Sequence, residues 1–150
     1  MDIQEHMHPD RLEKYSFMWS EARLLIAAVA LCIGGVPVLR AILPIPALYG
    51  LVGLVLTLAW LISGAASLYL LYRWHQNKWM VFGGKMQLDM IAFGINVVTG
   101  INLGLAGLLG RNIGMSLFPV YIIFVLAGVA YLATAYHLWK QWKAHGMKVF

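Results

Sequence analysis

The sequence predicts an all-α integral membrane protein, with four transmembrane helices arranged as two hairpins behind a short interfacial N-terminal helix. Three observations carry that prediction. The chain has 150 residues, 61% hydrophobic and only 11% charged, against a usual charged share of roughly 25%. A soluble domain of this size has too much surface for its volume to hide so much apolar area. Its apolar residues gather into four long stretches, each close to what a ~30 Å hydrocarbon layer requires. Nine of the eleven Lys and Arg residues fall in segments that these stretches would place on one side, leaving Arg40 and Arg111 on the other. That bias puts both ends of the chain in the cytoplasm, beneath a bacterial-type cytoplasmic membrane.

The elements follow in chain order. Asp10 with Glu13 has the spacing of a capping box, and Leu12, Tyr15 and Trp19 recur at helical spacing. Residues 10–21 therefore read as an interfacial helix, within a cytoplasmic segment 1–21. The rest of the chain, 22–150, reads as one transmembrane domain with a cytoplasmic tail. Span one is expected over 22–42, with Pro37 near its outer end, and Pro44 and Pro46 separate it from span two over 47–72. Arg73, Lys78 and Lys85 occupy the inner connection, where Gly83-Gly84 supplies a turn. Span three is expected over 90–110 and span four over 116–138, joined by a short outer turn around Arg111, Asn112 and Gly114.

The aromatic residues point the same way. Trp19, Trp74, Trp79, Trp139 and Trp142 sit at the expected cytoplasmic ends, while the outer face has only Tyr49, Phe118 and Tyr121 nearby. Indole rings favour the headgroup layer, where an apolar ring and a polar edge are both satisfied. A weak internal repeat also emerges. Glu21 and Asp89 precede spans one and three, Arg40 and Arg111 end them, and spans two and four close on Tyr72-Arg73-Trp74 and Tyr136-His137-Leu138-Trp139. This reads as a 2+2 pseudo-repeat about an axis along the membrane normal, although interfacial composition alone yields much of the likeness.

Span three is the least lipid-like. Asp89, Ala92, Asn96, Thr99, Gly100 and Gly107 share one face at 100° per residue. Asn96, Thr99 and Asn102 are the candidate residues for a hydrated or solute-binding face. The competing reading gives them an interhelical hydrogen-bonding role, with Gly100, Gly104 and Gly107 allowing close backbone approach. Span two carries a seam of Gly53, Thr57, Trp60, Gly64 and Ser67, with Trp60 expected in a groove left by a facing glycine. So many small-residue faces predict a homo-oligomer or a membrane-protein partner within the bilayer.

His75 and His137 lie at the expected inner ends, as interfacial side chains or a pH-sensitive pair. They are too shallow to hold a haem. His6-x-His8 lacks further ligands at zinc spacing, and the lone Cys32 excludes an internal disulfide. The sequence thus predicts no cofactor, no metal and no enzymatic activity. The net charge of +5 flanks the spans rather than forming a patch, so nucleic acid is not an expected partner. Two functions fit these residues: a self-associating bundle that passes an ion or small solute along span three, and a non-catalytic accessory or scaffolding subunit of a larger membrane complex.

Overall fold

The computed structural model describes residues 8–117 and 119–150, so His6 and Phe118 lie outside the described residues. Helix α1 (Pro9–Cys32) opens with Pro9, whose missing N–H is no loss in a first turn. Its N-cap is His8, which makes no side-chain capping bond, and Asp10 lies inside the first turn. The Asp10–Glu13 capping box expected from the spacing therefore does not form. Glu13 turns instead to Arg73, whose Nη2 donates to Glu13 Oε2 at 2.8 Å.

The expected interfacial helix and first span are one continuous rod. The rod stops early because Gly34 and Gly35 adopt φ of 88° and 80°, the left-handed turn that ends helices and that glycine takes most readily. Gly35 N–H closes the turn on the Ala30 carbonyl at 2.8 Å. After Pro37 a short helix α2 (Val38–Ile42) follows, and a 3₁₀ turn (Pro46–Leu48) leads into α3 (Tyr49–Gln76). Helix α4 (Gln87–Leu109) ends on Gly110 at φ 72°. A short α5 (Ile113–Leu117) precedes α6 (Tyr121–Ala144).

Helices α1, α3, α4 and α6 are long and apolar enough to cross a membrane. Among the described residues there is no strand, only an isolated bridge between Val81 and Gly84. The most extensive pairings are α3 with α4 and α1 with α6, rather than α1 with α3 or α4 with α6.

Glycine sets the α3–α4 pairing. A Cβ on Gly64 would lie 2.7 Å from the Gly104 Cα, and one on Gly104 would lie 2.6 Å from the Gly64 Cα. Ser67 covers Gly100 and Leu61 covers Gly107 on the same seam. The residue opposite a span-three glycine is thus Leu61 and not Trp60, one position away around the helix. Gly128 does the same for α6, facing the Ala28 carbonyl and Cys32 Sγ on α1.

The apolar core fills the half of the bundle that holds Pro9, Gln76, Gln87 and Ala144, here termed the basic end. Phe17, Leu70, Phe93, Leu138 and Trp142 are buried together there. The chain reverses at Gly146 and Met147, both at positive φ, so that Val149 enters this core and its carbonyl accepts from Phe82 N–H at 2.8 Å. Trp142 is 2% exposed. It is a core residue rather than the member of an interfacial belt that composition suggests.

Candidate functional site

The early stop at Gly34 shifts the first span toward the N-terminus, and this builds the site. Glu21, expected just before the first span, and Arg23, within its expected first turn, fall near the middle of α1. Asn96 and Thr99 occupy the corresponding level of α4, and Ser63 and Tyr131 that of α3 and α6. Two ionisable groups thus lie near the middle of a helix long and apolar enough to cross a membrane. Arg23 and Glu21 are 5% and 4% exposed, inside the bundle.

Arg23 is held from α4. Its Nη2 donates to the Asn96 carbonyl at 2.7 Å and also to Asn96 Oδ1, and its Nη1 donates to Thr99 Oγ1 at 2.9 Å. Thr99 has room to accept because its own hydroxyl proton points back to the Ile95 and Asn96 carbonyls. Asn96 is fully buried, and its Nδ2 donates to Glu21 Oε1 at 3.4 Å. Asn96 thus links an arginine and a carboxylate that do not meet within 4 Å. Gly100 makes space for the guanidinium, since a Cβ there would lie 3.2 Å from Arg23 Cζ. Three buried groups at this level, Ser20 Oγ, Ser67 Oγ and Arg23 Nε, have no hydrogen-bond partner.

Beyond Arg23 lies a cavity of about 670 Å³, bounded by all four long helices and by α2. Arg23, Thr99 and Asn102 line it, whereas Asn96 is not among its lining residues. Its remaining wall is mostly apolar, including Ala27, Leu56, Ala59 and Leu103. Trp19, placed by composition in the inner aromatic belt, stands on this wall, where its Nε1 donates to Ser63 Oγ at 3.0 Å. Trp60 lines it too.

The three polar candidates of span three diverge. Asn96 and Thr99 share Arg23, but Asn102 serves the turn after α4: its Nδ2 donates to Asn112 Oδ1 at 2.9 Å and its Oδ1 accepts from Gly114 N–H at 3.3 Å. The span-two seam divides as well. Gly64 and Ser67 face α4, Trp60 faces the cavity, Thr57 donates to the Gly53 carbonyl, and Gly53 lies nearest Arg40.

The two histidines do not form a pair. His137 Nε2 lies 2.7 Å from Asp89 Oδ1, joining α6 to α4, whereas His75 is exposed and edge-on to Trp79. Arg23 and Glu21 are the residues that sequence reasoning misses. The signal that finds them is the Gly34-Gly35 stop before Pro37, which fixes where the first helix can end.

Compared with known proteins, the chain matches no family model, no curated protein and no solved structure.

Proposed function

We propose that this is a membrane protein that holds a small solute inside the bilayer, in the cavity beyond Arg23. The observation that supports it is a buried guanidinium at the inner limit of a largely apolar space. Its volume of about 670 Å³ falls within the ~300–1,000 Å³ of ligand pockets. Ionisable groups at membrane depth are expensive and mark substrate or ion pathways. Passage of a solute along the α4 face then requires rearrangement, since the Phe17, Phe93 and Leu138 core fills the basic end. That makes the protein carrier-like or receptor-like rather than an open pore.

The basic end is assigned to the cytoplasm. Arg23 leaves the inside count, but Arg11, Lys14, Arg73, Lys78, Lys85, Lys140, Lys143 and Lys148 keep the bias against Arg40 and Arg111. The first turns of α1 serve as its interfacial portion. A 2+2 repeat that equates α1 with α4 and α3 with α6 is supported by the packing, because the close α1–α6 contact at Gly128 then matches the α3–α4 contact at Gly64. Self-association has less support. Of the positions that suggest it, Gly64, Gly100, Gly104 and Gly107 contact helices of the same chain.

Native mass spectrometry from nanodiscs tests the solute-binding reading. Wild type should carry a small-molecule adduct, and Ala59→Phe, which fills the cavity, should not. Wild type free of any adduct, from every lipid composition tried, would favour the accessory-subunit reading instead.

A further inference from the structure

We propose that the cavity takes a single-chain lipid carboxylate, a long-chain fatty acid drawn sideways from the bilayer, with its head at Arg23. This rests on the solute-binding reading and names its ligand class.

The charge balance at Arg23 is the first argument. Its two Nη atoms reach only neutral acceptors, the Asn96 carbonyl and amide oxygens and the Thr99 hydroxyl. Among the described residues, no carboxylate comes within 4 Å of it, and its Nε has no acceptor. Glu21 acts on it only from beyond that distance, across Asn96, so the buried cation has no direct counter-charge at the cavity and is incompletely compensated. An anion arriving in the adjoining space supplies the missing charge, and a planar carboxylate suits a planar guanidinium.

The shape of the space is the second. Past Arg23 the wall is mostly apolar, with Ala27, Ala30, Leu56, Ala59, Leu103 and Phe124 on it, and its Asn102 and Asn112 are hydrogen-bonded to each other, so it accepts methylenes. Each buried methylene contributes about 0.8 kcal/mol of transfer free energy.

The opening is the third. Trp19, Ile26, Ile42 and Val55 line the cavity and are 39–66% exposed. They belong to α1, α2 and α3, so the mouth lies between those elements, at a depth where acyl chains replace water. A molecule entering there comes from the lipid phase. One guanidinium matches one carboxylate, whereas a phosphomonoester head would bring more charge than this limit of the cavity answers.

The test uses full-length protein in phosphatidylcholine nanodiscs, with doxyl-stearate and its methyl ester as spin-labelled probes, at a pH where the acid is ionised. Wild type should immobilise the acid at least about tenfold more tightly than the ester, the scale of one charge-assisted hydrogen bond. Arg23→Gln should bring the acid down to the level of the ester, and Ala59→Phe should abolish binding of both. Should Arg23→Gln fail to fold, the acid–ester comparison on wild type decides alone. Equal immobilisation of acid and ester, both lost in Ala59→Phe, would overturn the carboxylate while leaving a solute-binding cavity. Binding unchanged in Ala59→Phe would place the probe outside the cavity and overturn the site. No immobilisation of either probe would overturn the ligand class, and the solute-binding reading falls with it only if the adduct is also missing. Lysophosphatidate displacing the probe better than stearate would overturn the carboxylate in favour of a phosphate head.

Discussion

Arg23 on α1 donates to both oxygens of Asn96 on α4, the backbone carbonyl at 2.7 Å and the side-chain amide oxygen beside it. The same amide donates to Glu21 through its nitrogen. One neutral side chain therefore serves two ionisable ones at the centre of four membrane-length helices.

That arrangement makes Asn96→Leu a strongly destabilising change. Leucine keeps the volume but removes one of the three acceptors of Arg23, leaving the backbone carbonyl and Thr99, and removes the donor to Glu21 altogether. An isolated interhelical hydrogen bond in a membrane averages about 0.6 kcal/mol, whereas a buried charged group left without its partner costs about 1–3 kcal/mol or more. The melting temperature in nanodiscs should fall well below that of wild type. An unchanged or raised melting temperature would show that Arg23 and Glu21 do not depend on Asn96.

The four spans were legible because a bilayer requires long apolar runs and the chain supplies them. The register of the first span was not. Its apolar stretch begins after Arg23, so hydropathy centres the span near Cys32, where the helix in fact ends. Hydropathy sums side chains and is blind to φ, while Gly34 and Gly35 stop the rod through backbone conformation. The inward face of span three was partly legible, since Asp89, Ala92, Asn96 and Gly100 share one side and are all buried. The partner of that face was hidden by the same register error, because it placed Arg23 at the very start of the span, away from the level of Asn96.

The glycine seam should discriminate between neighbouring positions. Gly104→Ala puts a methyl group against the Gly64 backbone, which flexible side chains cannot relieve, and should cost about 1–3 kcal/mol. Gly64→Ile and Gly104→Ile should be worse. Gly94 has nothing within 4 Å of an added Cβ, so Gly94→Ala should be neutral or should stabilise by up to about 1 kcal/mol. Val55→Ile, on an exposed position, serves as the silent control. Equal denaturation midpoints for Gly104→Ala and Gly94→Ala would contradict the close approach of α3 and α4.

The histidines should separate in the same way. His137→Ala removes the partner of Asp89, a carboxyl only 4% exposed, and should cost about 1–3 kcal/mol. His75→Ala, at an exposed site, should stay within about 0.5 kcal/mol of wild type. If both changes shift the unfolding midpoint alike, the Asp89–His137 contact is not what holds α4 to α6.

Orientation is open to a direct experiment. With the basic end inside, Lys143 should resist a membrane-impermeant amine reagent in intact cells and react once the cells are opened. Labelling of Lys143 from outside would reverse the assignment and place the cavity in the inner half.

Glu13 is the last residue whose removal should report on one contact network. Its Oε2 accepts from Arg73, and its Oε1 accepts from the Val149 and Phe150 amides at 3.3 and 3.2 Å. One carboxylate thereby ties the start of α1 to the end of α3 and to the returning C-terminal segment. Glu13→Ala leaves Arg73 without that partner and frees both amides. Glu13→Gln keeps an acceptor for them but loses the charge. Hydrogen exchange at Val149 and Phe150 should accelerate strongly in Glu13→Ala and less in Glu13→Gln. Exchange at α4 amides near Asn96 should change in neither, because the Phe17–Phe93 core lies between the two sites. Protection at Val149 that survives Glu13→Ala would mean that burial of its side chain, rather than the carboxylate, keeps the segment in place.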